Sequence, residues 1–532
     1  MCSDSEKMKE KEIANKIIEY LRKNPDNLSK VKYLVSEGMG RVLKNYEILR
    51  YIENDEKLAK ILISKRVRGA SGIFTVAVMT KPQKCPKERP CSYCPGGVDY
   101  GTPQSYIGNE PALMRAIQNN FDPYKQVMHR LFQYIRMGHT PSKIQLIIMG
   151  GTFPAMDLDY QEWFVMRCLE ALNDFPYSRP YKWKSLEDAQ IRNEKSRVRC
   201  IGITMETRPD WAKEGHTDRM IKLGATLVEI GVQTLDDEIL RRVNRGCYVK
   251  DVIEATRILR DSGLKVGYHI MPGLPGSNFE KDLECLKRIF QDEEFKPDYL
   301  KIYPTLVIEG TELYRDWLTG KYRAMQTEEV MELLLEAHKY FPKWVRVSRI
   351  QRDVPVSIIA NGVKRSNLRE DVERKLKSLG IKCKCIRCRE IGLAKIRGEE
   401  VVNLNPKIYV EKYEAGRGNE IFISLEDGDY LMGFLRLRIP SELAHRKEVK
   451  NSGVIRELHI YGPQVPIGER DEEAYQHRGY GSMLLRKAEE ITMNEFDLRR
   501  IVVLPGVGVR DYYRKRGYRR IPLSQYMIKH LS

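Results

Sequence analysis

Residues 72–94 read GIFTVAVMTKPQKCPKERPCSYC: an apolar run from Gly72 to Thr80, then Cys85, Cys91 and Cys94 in the spacing C-x5-C-x2-C. A short run rich in β-branched and apolar residues reads as a strand. The proline-bearing polar stretch after it reads as a loop leaving that strand's C-terminal end. The same alternation recurs downstream. Candidate strands lie at 144–149, 199–205, 226–232, 265–271 and 299–306, and candidate helices near 160–172, 210–222, 251–262, 279–291 and 327–341. Strands alternating with helices predict a parallel sheet covered by helices. The number of units predicts an α/β fold, a partial or full (β/α) barrel, with its active site at the C-terminal ends of the strands. The cysteine loop sits at such an end.

Three thiolates on one loop can hold three irons of a [4Fe–4S] cluster and leave the fourth iron open. An open iron can chelate the amino and carboxylate groups of S-adenosylmethionine (SAM), whose sulfonium is cleaved by one electron. Tyr93, just before the last cysteine, would pack against that cofactor. The alternative is a structural zinc loop, but zinc takes four protein ligands in such sites and no fourth lies nearby. The segment resembles the radical-SAM superfamily, with a first gap of five residues where three is commonest. Gly150-Gly151-Thr152 follows the second strand and resembles the superfamily's glycine motif for the SAM amino group. Gln233, His269 and the run Glu206-Thr207-Arg208-Pro209-Asp210 fall at later strand ends. There polar side chains either reach SAM and substrate or serve as core hydrogen-bonders.

The chain from 401 onward changes character, with antiparallel-type strands at 420–425, 430–438, 453–461 and 499–504. Gln476-His477-Arg478-Gly479-Tyr480-Gly481 precedes a helical stretch with Leu484, Ala488 and Ile491 on one face. A glycine-rich turn feeding a helix N-terminus offers free backbone N–H groups to a pyrophosphate such as that of coenzyme A. The strand before it, ending Glu457-Leu458-His459-Ile460, offers backbone to a pantetheine arm. This resembles the GNAT acetyltransferase pattern, in which a tyrosine near the thioester acts as general acid; Tyr513, or its neighbour Tyr512, stands there. Between the two halves, Cys383, Cys385 and Cys388 place three thiols within six residues, a spacing that suits a tetrahedral metal, zinc before a second iron–sulfur cluster, with unligated thiols as the remaining alternative.

Lys and Arg number 91 against 73 Asp and Glu, a net charge of +18, which favours a polyanionic partner. No apolar run reaches the ~18 residues of a membrane span, and residues 1–30 lack a leader-type apolar stretch. A soluble, cytoplasmic protein without membrane association is expected. Together the motifs KRVRGASG, SYCPGG, GGTF, ETRPD, EIGVQ, MPGLPG, KIYPTLVIEGTELY, CIRCREIG, RELHIYG, QHRGYGSMLL and RDYYRKRGY resemble the catalytic subunit family of Elongator, from about residue 65 to the end.

That resemblance implies a tRNA substrate, acetyl-CoA and SAM, and position-34 uridine converted at carbon 5 to 5-carboxymethyluridine by a radical mechanism. It implies that Cys85, Cys91 and Cys94 hold the cluster. Lys143, Glu457 to Ile460, Tyr480 to Ser482 and Tyr513 would contact acetyl-CoA, and Lys301 and Tyr303 would form the radical-site pair. The expected organisation is a basic helical tRNA-binding segment (1–70), a radical-SAM barrel (71–341), a basic connector with the second cysteine group (342–400) and a GNAT α+β domain (401–532). A stand-alone or homo-oligomeric enzyme fed by a separate electron donor fits this reading. The alternative is a protein lysine acetyltransferase with a purely structural iron–sulfur cluster.

Overall fold

The computed structural model describes residues 4–36, 42–52, 55, 58, 61–63, 65, 67–179, 185–399, 405–462 and 479–532. The strand over the opening apolar run is β1, Phe74–Met79. It is followed by β2 (Lys143–Met149), β3 (Arg199–Thr207), β4 (Ala225–Gln233), β5 (Lys265–Ile270), β6 (Tyr299–Ile302), β7 (Val307–Ile308), β8 (Arg346–Arg349) and β9 (Ile359–Asn361). Seven of these form one sheet in the order β1-β2-β3-β4-β5-β6-β8. Every pairing within it is parallel. The order is that of an open half-barrel rather than a closed one.

The β2 sequence KIQLIIM shows why the sheet has two unlike faces. Ile144, Leu146 and Ile148 are buried, whereas Lys143, Gln145, Ile147 and Met149 are only half-buried. Side chains alternate across a strand, so the first set packs under the helices Pro123–Arg136 and Leu158–Asp174 while the second lines the concave face. The sheet runs beyond residue 341. The strand Arg346–Arg349, inside the stretch expected as a connector, is its seventh member. Of its four residues only Val347 is buried, so no apolar run announces it.

The C-terminal part is a second seven-stranded sheet, built from β10 (Lys407–Ala415), β11 (Gly418–Asp427), β12 (Tyr430–Ile439), β13 (Gly453–Ile460), β14 (Arg500–Val503), β15 (Arg519–Arg520) and β16 (Met527–His530). Its order is β10-β11-β12-β13-β14-β16-β15. Only β13 with β14 is parallel. The N-terminal helices Asp4–Lys23 and Leu28–Ser36 carry a core of their own, with Ala14, Ile17 and Leu21 fully buried.

The two sheets share one hydrophobic core. They are also joined by a buried charge network. Arg456 of β13 reaches both oxygens of Asp298, just before β6, at 2.7 and 2.8 Å. Arg456 also binds Glu420 at 2.6 Å. Arg438 spans Glu420 and Asp261 at 2.9 and 2.6 Å. Burial opposes the charge on Asp298, but Arg456, Arg260 and Arg436 outweigh it and hold the carboxyl far below its usual range. The described residues contain no helix long and apolar enough to cross a membrane.

Candidate functional site

A cavity of about 210 Å³ opens at the C-terminal rim of the half-barrel. Cys85, Cys91 and Cys94 all line it, as do Gly150, Gly151 and Thr152 from the turn after β2. Gly150 is required there: its φ is +131°, and a Cβ would lie 2.0 Å from Thr80 Oγ1, at the end of β1. The turn therefore hugs the root of the cysteine loop.

The surroundings of the thiols suit an anionic cluster. Lys87 Nζ lies 3.5 Å from Cys91 Sγ and Arg245 Nη1 lies 3.9 Å from it. Burial works against ionisation, yet these two cations hold the Cys91 thiol below its ordinary pKa. Cys94 Sγ meets Ser105 Oγ at 2.8 Å and Gln104 Nε2 at 3.4 Å. Gln233 presents a buried Oε1 without a hydrogen-bond partner among the described residues, at a φ of +72°. The donors and the orphaned acceptor fit a cluster that leaves one iron for a polar ligand with N–H groups.

Three neighbouring strands, β3, β4 and β5, each send one polar side chain to the wall of this cavity, Glu206, Glu229 and His269, and Lys301 of β6 lies behind them. Lys301 (β6) binds Glu229 (β4) and lies 3.3 Å from Glu206 (β3); His269 (β5) lies 3.5 Å from Glu229. Burial opposes both charges, but each is rescued by the other: Glu229 is held down at about 2 and Lys301 is pushed well above the usual lysine value. Tyr303 lines the cavity, its ring edge-on to His269 at 5.3 Å. Burial raises its phenol. Glu206, Glu229 and His269 also lie close enough to hold a metal ion together. Lys301 already pairs with both carboxylates and offsets one of their two charges.

The acyl half has a cleft of its own. β12 stays paired with β13 as far as Ile460, across one register shift at Arg436/Leu437, whereas β14 follows β13 only over Gly453–Ile455. Beyond Ile455 the parallel pair therefore splays. The helix Tyr480–Asn494 starts beside the splay, with Gly479 as its N-cap. A Cβ on Gly481 would lie 2.3 Å from Tyr512 Oη and 3.8 Å from Leu458 Cδ2, so strand, helix start and tyrosine converge. Ser482 Oγ accepts from Arg516 Nε at 3.0 Å, and the Arg516 guanidinium sits 3.5 Å from the centre of the Tyr512 ring. Tyr513 is buried, 5.3 and 5.6 Å from the rings of Tyr512 and Tyr518. Burial first, then Tyr512, pushes its phenol up.

Glu457 and His459 turn their side chains toward the barrel. Glu457 accepts from Tyr299 and from Arg436 Nε, the latter at 2.9 Å. His459 Nε2 meets the Ser71 carbonyl at 2.8 Å and its ring stacks on Tyr461. Lys143 opens β2 opposite Arg199 of β3, whose Cβ would lie 2.6 Å from a Cβ on Gly508 of the acyl half. Burial depresses its ammonium to about 8. Gln476 lies outside the described residues.

The second cysteine group is also assembled. The sulfurs of Cys383, Cys385 and Cys388 lie within 4.8 Å of one another. They are held beside β8, since Ile386 N donates to the Val345 carbonyl at 2.9 Å.

Residue selection from sequence missed Arg245 and Lys87 altogether and gave Glu229 no role. A glutamate within the otherwise apolar strand ATLVEIGVQ was the available signal, because an isolated buried charge is costly.

The half-barrel with its rim cysteines, fused to the splayed acyl sheet, defines a radical-SAM enzyme joined to a GNAT acyltransferase. Family models agree: the Radical SAM superfamily matches residues 79–289, the Radical_SAM C-terminal domain 297–378 and the Acetyltransferase (GNAT) family 394–518. A tRNA uridine(34) acetyltransferase of Methanocaldococcus jannaschii is 50% identical over 92% of this chain and 90% of its own length. Human Elongator complex protein 3 is 42% identical, covering 88% of this chain and 86% of its own length. Among solved structures, the archaeal Methanocaldococcus infernus Elp3 with an N-terminal deletion is 44% identical with a TM-score of 0.75, covering 87% of this chain and all of that one. The chain belongs to the tRNA uridine(34) acetyltransferase family, which includes Elongator complex protein 3.

Proposed function

We propose that this protein modifies carbon 5 of uridine 34 in tRNA, using acetyl-CoA and SAM to give 5-carboxymethyluridine. The observation that carries the reading is the presence, in one chain, of a three-cysteine cavity at a half-barrel rim and a splayed acyl-CoA-type cleft. The C5 carbon of uridine reacts poorly with ordinary electrophiles, so a two-carbon unit is joined there by radical chemistry.

Cys85, Cys91 and Cys94 would hold a [4Fe–4S] cluster, and Gly150, Gly151, Thr152 and Gln233 would seat SAM. When bound, this pair supplies a carbon-centred adenosyl radical able to take hydrogen from the acetyl methyl group. Tyr303, which lines the cavity, would orient the reacting group, and Lys301, kept charged by Glu229, would act through the Glu206 and Glu229 carboxylates that line it. In the acyl half, the backbone of Glu457 to Ile460 would pair with the pantetheine arm. The N–H groups of Gly479 to Ser482, with Gln476, would bind the pyrophosphate. Tyr513 would face the thioester, and Lys143 would reach it from the barrel side.

Cys383, Cys385 and Cys388 suit structural zinc. Basic residues of the 1–70 and 342–400 segments would hold tRNA phosphates, so binding should weaken steeply with salt. The domain limits read from the sequence serve this division of labour once the barrel takes in the strand Arg346–Arg349. A separate one-electron donor is required. A soluble, cytoplasmic protein, alone or as a homo-oligomer, fits a tRNA substrate.

The deciding experiment is anaerobic reconstitution with SAM, acetyl-CoA and tRNA, followed by nucleoside mass spectrometry. A carboxymethyl mass on uridine, lost when either cofactor is omitted, supports the reading. Acetylation of protein lysine without SAM cleavage would overturn it.

A further inference from the structure

The segment Asn244-Arg245-Gly246 lies across the cysteine loop like a strap. Asn244 Nδ2 donates to the carbonyls of Arg89 and Pro90 at 3.2 and 3.0 Å, inside the loop between Cys85 and Cys91. Ser92 N donates to the Val243 carbonyl at 3.1 Å. Lys87 reaches back from the loop to the Asn244 carbonyl, and its Nζ is 3.5 Å from Cys91 Sγ.

Arg245 is the buried centre of the strap. Its guanidinium donates to the Gly231 carbonyl at the end of β4 and points Nη1 at Cys91 Sγ, 3.9 Å away. Gly231 leaves room for it: a Cβ there would lie 2.6 Å from Arg245 Nη2. The strap is itself braced. Arg208 donates to the Gly246 carbonyl at 3.2 Å while forming two bonds to Asp210, at 2.9 and 2.8 Å. This gives the ETRPD run a concrete job, since it fixes the segment that fixes the cation.

Two tethered cations thus converge on one cysteine sulfur of the three. A cluster held by three thiolates is already anionic, and one-electron reduction adds further negative charge. A positive charge at a buried sulfur therefore stabilises the reduced form more than the oxidised form and raises the potential. Hydrogen bonds to the sulfur act in the same direction.

We propose that Arg245 and Lys87, positioned by the strap, set the reduction potential of the cluster by holding two positive charges beside the Cys91 sulfur. They are positioning residues for the electron, not groups that touch substrate. The inference rests on the reading that Cys85, Cys91 and Cys94 bind a cluster.

The test is an EPR-monitored redox titration of the full chain, reconstituted anaerobically with iron and sulfide and with SAM omitted. Arg245→Gln and Lys87→Met should each move the midpoint to more negative potential at parental iron content. The double variant should move it furthest, and Arg245→Lys should return it most of the way. Parental midpoints in both single variants would overturn the proposal. If Arg245→Gln loses iron, Lys87→Met decides by the same criterion. A parent chain that takes up no cluster would instead overturn the underlying cluster assignment.

Discussion

Substituting Asp298 by Asn removes one negative charge from the seam between the two halves while nearly preserving shape. Asp298 is fully buried. It takes a two-point ion pair from Arg456 at 2.7 and 2.8 Å and lies within 3.5 Å of Arg436 and 3.6 Å of Arg260. Its Oδ2 also accepts from Val266 N at 2.8 Å, which anchors the start of β5. In the parent, Arg260, Arg436, Arg438 and Arg456 are matched by Asp261, Asp298, Glu420 and Glu457. The Asn variant leaves one guanidinium charge without its counter-charge in a site closed to water. Breaking a buried pair on one side costs about 3–5 kcal/mol.

Because the folded-state pKa of Asp298 is depressed, its contribution is present above the unfolded value of about 3.9 and is lost as pH falls through the lower folded value. Parent and variant should therefore differ across the neutral range and converge only in acid. The assay is urea unfolding followed by circular dichroism at pH 7, repeated at lower pH. The parent should unfold in one transition, and the variant should show a lower midpoint, with the acyl half separating from the barrel. A variant within about 1 kcal/mol of the parent at pH 7 would refute the claim that this network, in addition to the shared apolar core, holds the halves together.

Gly150→Ala should abolish SAM cleavage while leaving acetyl-CoA binding in place. The new methyl meets Thr80 Oγ1 at 2.0 Å and the backbone is in a left-handed conformation; normal SAM cleavage would show that the turn has room. Lys143 should lose its charge as pH rises through about 8. If it serves acetyl-CoA as proposed, KM for acetyl-CoA should climb above that pH in the parent, and Lys143→Met should have a raised and pH-independent KM. An identical alkaline limb in both would remove Lys143 from the site. Metal analysis should find one zinc beyond the cluster iron, and Cys385→Ser should lose it together with thermal stability. Retention of zinc in that variant would mean that the metal sits elsewhere.

Much of the barrel was legible because its strands are apolar runs ended by polar or glycine residues, as in IQLIIM before Gly150-Gly151. The strand Arg346–Arg349 was not, since a short edge strand with one buried residue carries no hydrophobic signature. Its membership in the sheet depends on backbone pairing with β6, which sequence does not encode locally. The opening strand of the acyl sheet, KIYVEKYEA, escaped for a related reason: most of its side chains stay in solvent, so it lacks a burial pattern.

Cluster ligands are legible because their chemistry demands fixed residue types at short spacing. Arg245 is not, because it lies about 150 residues further along and meets Cys91 only through the fold. Glu457 and His459 show the opposite limit. Sequence assigns them to the acyl cleft, and their backbone does run beside it. Strand alternation, however, sends their side chains to Tyr299, Arg436 and Ser71 on the barrel side. A position next to a binding strand is thus shared between ligand-facing backbone and interface-facing side chain, and periodicity alone does not say which of the two matters.

The strand β2 ties these observations together. Lys143 begins it on the side that abuts the acyl half, through Arg199 and Gly508, and Gly150-Gly151 follow its far end in the radical cavity. Seven residues of strand at ~3.3 Å each hold the two ends roughly 20 Å apart. Both ends belong to one strand, so no rotation of one half on the other shortens this distance, and the buried ion pairs around Asp298 and Glu420 resist a hinge at the seam because opening it would strand several charges at once. Coupling between the halves is therefore better served by moving the small reacting parts, the acetyl arm and the splayed-out base, than by rotating one domain on the other. On this view the charged seam is what keeps both destinations fixed while the substrate travels. Asp298→Asn is therefore expected to loosen the seam while touching neither site.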